Sequence, residues 1–454
     1  MITAEKIEKI VYDLCLKANT ELDKSSYEKI LLAWKNETSP GAKQALALIL
    51  KNAQLSFEKK MPLCQDTGQV IVFAKAKSFT PDFNSAVNNG VQKAYEENFF
   101  RKSVVKNALF DRVNTKTNTP CVIYTEISPD AELEIELLIK GAGSENVSQI
   151  KMLSPTASQD EIKDFVVDAV AKAGSKACPP YFIGIGIGGT IEYAGMLSKK
   201  ALLLKNNPDE QHNSLAEKIK NAANELCIGA AGFAGGATVL DVKILSDFTH
   251  IACMPTAVTI NCHSSRHARY PEEKILEKPQ FLDFNIENSF SDYIKLNTEE
   301  FDKIKNLKKG QKVLLSGEIY TARDAAHKRL VEMIDKNEEL PFEIKNKIIF
   351  YAGPCPCSEN CIVGSIGPTT SARMDKFLPK LLEKGLLATI GKGERTQEAT
   401  EILKKHNSTY FTMIGGIACY LAEKFTKKEI IAFEDLGAEA IYKFKIENLP
   451  LTVA

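Results

Sequence analysis

The sequence predicts a mixed α/β protein built as two domains. Three observations carry that expectation. The chain opens with about sixty residues of helical apolar spacing, continues as short β-branched runs alternating with amphipathic stretches, and repeats that alternation after a polar interval beyond residue 270. Its 454 residues also exceed what one hydrophobic core usually serves.

In chain order, apolar residues recur at helical spacing at Ile7, Ile10, Val11 and Leu14, at Ile30, Leu31 and Trp34, and at Ala45, Leu46 and Leu50, with breaks near Asp23 and Ser39. The runs QVIVFAKA, CVIYTEI and ELEIELLIK read as strands, residues 83–98 as a helix, and KGAGSENVSQIKM as a glycine-containing connection. A helix over 160–173, the glycine-rich YFIGIGIGGT, a helix over 215–226 and the strand ATVLDVKIL extend the pattern to about Arg269.

Residues 271–309 turn polar and suit a linker, so the expected domains are 1–281 and 282–454, with the boundary near Leu282. The second domain opens with VLLSGEIYTA as a strand. A helix over 324–334, the strand KIIFYAG and a helix running from Thr370 through SARMDKFLPKLLEKG follow. No internal repeat or low-complexity tract interrupts it.

Lysine plus arginine and aspartate plus glutamate both total 58, so no basic field draws nucleic acid or anionic lipid. The apolar stretches YFIGIGIGG and YFTMIGGIACYLA fall short of the roughly 20 residues that span a bilayer. The opening MITAEKIEKIVYDLCLK lacks the basic-then-apolar layout of a signal peptide, and a cytoplasmic location is expected. Eleven cysteines, an odd number, argue against a disulfide framework and direct attention to metal ligation.

Three cysteines sit beside glycine, proline or a turn: Cys64 in PLCQDTG, Cys178 in SKACPPYFIGIGIGG and Cys262 in INCHSSRHA. Thiolates bind iron well, and a fully protein-held cluster normally takes four, so three would leave one iron open as a Lewis acid. Each cysteine alone also reads as a small buried hydrophobe. Cys262, His263 and His267 make an incomplete zinc pattern, as do Cys355, Cys357 and Cys361 in GPCPCSENCIVG. The glycines of GIGIGGT and IGAAGFAGG lack the dinucleotide spacing and suit tight turns and close packing. Arg101, Arg323 and Arg373 lie beside glycine- or hydroxyl-rich motifs and offer forks for a dicarboxylate, although most arginines are surface residues.

Together, PLCQDTG, RKSVVKN, KGAGSEN, GIGIGGTIEYAGMLSKKALL, THIACMPTAVTINCHSSRHA, SGEIYTARDAAHKRL and GPTTSARMDKF resemble, in this order, the iron–sulfur fumarase and tartrate dehydratase family. The resemblance runs from about Ile10 to the end, with the α-like and β-like parts, separate subunits in some members, fused in one chain. It implies an N-terminal cluster-binding domain and a C-terminal α/β domain of the swivelling type. It also implies that Cys64, Cys178 and Cys262 hold a 4Fe-4S cluster with one iron left for substrate. Gln65, Asp66, Arg101, Gly143, Arg323, Arg373 and Lys392 would line the substrate pocket, and Thr369 matches the catalytic base. A threonine hydroxyl is a poor base at neutral pH and needs activation by Asp66 or by the cationic pocket. His250 corresponds to a histidine that reaches the partner's site across a homodimer. One departure from the family is the loop bearing Cys355, Cys357 and Cys361, read as ordinary reduced loop cysteines.

The expected activity is reversible hydration of fumarate to L-malate, a step of the tricarboxylic acid cycle. L-tartrate dehydratase or a related dicarboxylate hydro-lyase is the nearest alternative. A non-catalytic iron–sulfur sensor and a zinc-dependent lyase are alternatives of other classes.

Overall fold

The computed structural model describes residues 3–271, 280–282, 284, 286–359 and 361–454. The polar stretch at 272–279, within the linker expected from the sequence, lies outside them. The chain forms two compact units, Met1–Leu282 and Asp283–Ala454. Among the described residues no helix is long and apolar enough to cross a membrane.

The first unit opens with helices α1 (Ala4–Thr20), α2 (Lys24–Asn36) and α3 (Pro40–Lys59). Thr3 and Asp23 cap the first two, accepting hydrogen bonds from the Lys6 and Ser26 amides at 3.3 and 3.0 Å. Proline in the first turn of α3 costs no hydrogen bond there. One face of α1 buries Ile7, Ile10, Val11 and Leu14 and packs on α4 (Phe83–Glu97). Gly90 permits that approach, since a Cβ there would sit 2.5 Å from the Glu8 carbonyl oxygen.

Strands β1 (Gln69–Ala76), β2 (Val122–Ile127) and β3 (Glu134–Lys140) join a short later strand, His267–Tyr270, in one four-stranded sheet. β1 runs parallel to β2 and antiparallel to β3, with Ile71 opposite Leu138. A one-turn helix α5 (Ala142–Glu145) follows β3 and leads into β4 (Gln149–Leu153). That strand, with β5 (Tyr181–Gly189), β6 (Val239–Thr249) and β7 (Met254–Asn261), makes a second sheet in the order β4-β7-β5-β6. The strand at His267–Tyr270 is β8.

Helices α6 (Gln159–Ala173), α7 (Ile191–Ala201) and α8 (Glu210–Asn224) accompany this second sheet. A reciprocal capping box between Ser158 and Glu161 starts α6. The alternating glycines of β5 have a packing reason. A Cβ at Gly184 would lie 2.0 Å from the Ser198 carbonyl oxygen and one at Gly186 2.2 Å from that of Ala194, so α7 rests directly on the strand backbone.

The second unit carries β9 (Ile294–Asn297), helix α9 (Phe301–Lys305), β10 (Lys312–Thr321), α10 (Asp324–Asp335) and β11 (Ile348–Phe350). It continues with α11 (Leu378–Glu383), β12 (Ala388–Gly391), α12 (Gln397–Lys405), β13 (Thr409–Thr412), α13 (Ala418–Ala422), β14 (Phe425–Ala432) and β15 (Ile441–Val453). Strands β9 to β13 are parallel neighbours. The long β15 pairs antiparallel with β13, β14 and β10, curling the sheet back on itself.

The helix expected from Thr370 is corrected: Ser371–Phe377 is 3₁₀ and a separate short α-helix begins at Leu378, with Pro379 in its first turn. Tertiary bonds impose the tighter winding, because the Ser371 amide donates to the Lys392 carbonyl at 3.0 Å and the Ser371 hydroxyl contacts the Tyr410 hydroxyl at 2.9 Å.

Candidate active site

In the first unit, Cys64, Gln65 and Asp66 form the loop between α3 and β1, while Cys262 stands just past the end of β7. Cys178 lies in the turn between α6 and β5 with φ +58°, a left-handed conformation that costs a non-glycine residue about 1 kcal/mol. The Cys64 thiol donates to Gln65 Oε1 at 3.4 Å, and Cys262 Sγ lies 2.9 Å from Ser264 Oγ. Burial pushes the Cys64 thiol up to about 11, against the pull of Arg266, and negative charge on Asp66, Cys262 or Cys178 raises it further. The three cysteines that are far apart in sequence are therefore electrostatic neighbours. All eleven cysteines are free thiols.

Asp66 is the best-anchored acid of this region. Its Oδ1 meets Arg101 Nη2 at 3.2 Å and the Gly68 amide at 3.2 Å, and its Oδ2 accepts from the Ala142 amide at 2.9 Å. Burial opposes ionisation, but Arg101, Arg266 and the two amides outweigh it and hold the carboxyl down to about 2. Through the Ala142 bond the same carboxylate fixes the turn that carries Gly143, which is half-exposed.

His250 follows β6 at an exposed tip, where its Nδ1 accepts from the Ala252 amide at 3.1 Å. Phe248 and Ile251 beside it are 95% and 91% exposed.

In the second unit the selected residues gather at the carboxyl ends of parallel strands, where open α/β sheets bind their ligands. Arg323 follows β10, stands at the N-cap position of α10 and pairs with Glu439 at 3.5 Å. Thr369 donates its amide to Tyr351, just past β11, at 2.7 Å, and Lys392, just past β12, donates its amide to Thr369 at 3.1 Å. Arg373 grips Asp324 with two bonds, Nε to Oδ1 at 3.2 Å and Nη2 to Oδ2 at 2.5 Å. Burial opposes ionisation of Asp324, and Arg373 and then Arg323 hold its carboxyl below the usual range.

Sequence reasoning missed four buried groups, each inside or beside a motif already noticed. Arg266 and Lys140 are 2% and 3% exposed beside the cysteine region. Arg395 has a side chain only 1% exposed, meets Asp375 at 2.6 Å and lies over the rings of Tyr351 and Tyr410. His327 is fully buried, with Nδ1 donating to the Arg323 carbonyl at 2.8 Å and Nε2 lacking a partner. Motif position was the available signal; burial was not.

His327 gives the protein an acid-sensitive element. Burial pushes the imidazole from its ordinary 6.5 down to about 4. Between those values the unfolded chain binds a proton that the folded chain refuses, so stability is complete above 6.5 and is lost as pH falls toward 4, by up to about 3 kcal/mol. Thermal unfolding followed by circular dichroism should show this slope, and His327→Phe should flatten it.

The donor set is three cysteine thiols, which are soft metal ligands. Among the described residues no three His, Cys, Asp or Glu side chains close on one ion. His267, a candidate zinc ligand, is instead tied by Nδ1 to the Ser265 carbonyl at 2.9 Å, with Nε2 3.7 Å from Asp23. Three soft thiols from three separate segments, with Cys262 and Cys178 electrostatic neighbours of Cys64, are of the kind an iron–sulfur core takes.

Comparison with known proteins is consistent with this geometry. Residues 8–270 match the family model described as fumarate hydratase (Fumerase), and residues 267–454 match that described as fumarase C-terminus. Fumarate hydratase 1, mitochondrial, of Leishmania major is 30% identical over 450 residues, covering 91% of this chain and 81% of that protein. The anaerobic class I fumarate hydratase of Escherichia coli strain K12 is 29% identical, with 91% and 81% covered. A Methanocaldococcus jannaschii protein named as an L(+)-tartrate dehydratase alpha subunit is 38% identical over 277 residues, covering 58% of this chain and 96% of that protein. Fold, residues and matches define a hydro-lyase. The chain belongs to the fumarate hydratase family, with both family segments joined in one polypeptide.

Proposed function

We propose that the protein is a 4Fe-4S-dependent fumarate hydratase that interconverts fumarate and L-malate in the tricarboxylic acid cycle. The observation that carries this reading is that Cys262 and Cys178, from distant segments, are electrostatic neighbours of the buried Cys64 in a chain of this family. These three thiolates would hold the cluster, which when bound supplies a Lewis acid that polarises the substrate hydroxyl.

The chain's own residues do the rest. Arg101, Arg323, Arg373 and Lys392, with Gln65 and the Gly143 backbone, bind the two carboxylates. Asp324 occupies the Nε and Nη2 donors of Arg373, leaving the Nη1 side of the fork for substrate. Thr369, its hydroxyl proton first lost to solvent under the pull of neighbouring cations such as Lys392, takes the proton from the carbon beside the far carboxylate and becomes the neutral hydroxyl again, and the cations stabilise the charge that accumulates on that carboxylate. Asp66 is too weak a base, at about 2, to take that proton. It acts as a positioning residue that aims Arg101 and the Gly143 turn.

The active unit is proposed to be a homodimer in which His250 serves the partner's site. Exposed Phe248 and Ile251 flanking His250 favour a covered tip. Free thiols throughout favour a reducing, cytoplasmic setting.

A second reading, dehydration of L-tartrate, is favoured by the Methanocaldococcus relative, named as a tartrate dehydratase alpha subunit and matched over 58% of this chain. Protein purified without oxygen should contain close to four iron per chain and form fumarate from L-malate, read by ultraviolet absorbance. Full iron with turnover of L-tartrate alone would replace the substrate; zinc or no metal would overturn the mechanism.

A further inference from the structure

Between the end of α4 at Glu97 and the start of β2 at Val122 the chain holds no helix or strand, only an isolated bridge between Val105 and Asn114. Arg101 lies in this segment, so no regular ladder of backbone hydrogen bonds fixes it. Two buried side chains do. The Thr67 hydroxyl donates to the Arg101 carbonyl at 2.5 Å, and Thr67 is itself fully buried, its own carbonyl accepting from the Tyr95 hydroxyl of α4.

Just beyond, Asn118 spans the same two segments. Its Nδ2 donates to the Gly68 carbonyl at 3.1 Å and its Oδ1 accepts from the Ser103 amide at 2.8 Å. Asn118 is 0% exposed and stands at φ +61°, a left-handed conformation that asparagine enters more readily than most residues with a Cβ. An amide donates and accepts at once, which a carboxylate or an apolar side chain cannot do. The two joined segments carry Gln65 and Arg101, and the Asp66–Arg101 ion pair at 3.2 Å crosses the same gap. An ion pair on a loosely held backbone would leave the guanidinium free to shift by the roughly 1 Å that can cost about a hundred-fold in rate.

We propose that Thr67 and Asn118 are positioning residues that clamp the Arg101 backbone to the Cys64–Gly68 loop, so that the guanidinium meets the substrate carboxylate already aligned. This rests on the reading of Arg101 as a substrate ligand. Neither side chain acts on substrate; both act through Arg101.

The test measures kcat/KM for L-malate in Asn118→Gly, which suits the left-handed backbone but removes the amide, and in Thr67→Val, which keeps the shape but removes the hydroxyl. Each is made in wild-type and in Arg101→Ala holoprotein, with iron quantified. In the wild-type background each should lower kcat/KM about ten- to a hundred-fold at unchanged iron content. In the Arg101→Ala background the same changes should cost less than about three-fold, because the side chain they aim is gone. Thr67→Ser, which keeps the hydroxyl, should stay near wild type. Equal losses in both backgrounds would overturn the proposal, since the two residues would then brace the fold in general. Wild-type kcat/KM in either clamp variant, iron lost in step with activity, or failure of both variants to fold would overturn it too. If Asn118→Gly alone fails to fold, Thr67→Val and Thr67→Ser decide. Arg101→Ala with wild-type kcat/KM would instead sink the reading of Arg101 as a substrate ligand, a failure visible without either clamp variant.

Discussion

Cys178→Ser should abolish hydration of fumarate, lowering turnover by at least about 10³-fold, while leaving the far-ultraviolet circular dichroism unchanged. Cys178 sits between two prolines and a helix end, in a left-handed conformation that serine tolerates as well as cysteine does. The side chain is 8% exposed, and the exchange of sulfur for oxygen leaves its volume nearly unchanged. Only the soft ligand is lost, and two thiolates hold a cubane poorly. Iron content measured beside activity distinguishes the causes. Loss of both together is the expected result, and full activity with serine at 178 would remove Cys178 from the ligand set.

Arg373→Ala should lower kcat/KM for L-malate on the order of 10²- to 10³-fold with iron content unchanged, because one charge-assisted fork on a substrate carboxylate disappears. Arg373→Lys keeps the charge without the planar fork and should recover only part of the loss. Asp324 loses its two-bond partner in either variant, and its carboxyl should rise toward the ordinary range. A steady-state assay on malate with iron quantified in the same samples reads the outcome. An Arg373→Ala enzyme with wild-type kcat/KM would show that this arginine holds Asp324 and nothing else.

The motifs made part of the site visible in one dimension. PLCQDTG places Cys64, Gln65 and Asp66 in one turn, and no folding is needed to see them as neighbours. SGEIYTARDAAHKRL shows Arg323 at a strand-to-helix junction for the same local reason, since the strand ends at Thr321 and the helix begins at Asp324. Arg266, Arg395 and His327 were in view as letters and invisible as functional groups. What distinguishes them is burial beside sulfur, an aspartate or aromatic rings brought from elsewhere in the chain.

Asp66 shows the limit most clearly. Its identity suggested an activating base; its environment makes it a fixed anion, because Arg101, 35 positions on, and Arg266, 200 positions on, meet it in space. The glycines of β5 show the reverse case. Their alternation is plain in GIGIGG, but its cause is the backbone of α7 lying against Gly184 and Gly186.

By itself the sequence determined the mixed α/β class, the helical opening, most strands and the residue types that mark the family, because side-chain periodicity and short motifs are local properties. Tertiary structure alone decided which cysteines are neighbours, that residues 371–377 wind as 3₁₀ rather than α, and which charges are paired. Those depend on distances between segments far apart in the chain, and on the energy of removing charge from water, neither of which any stretch of sequence carries.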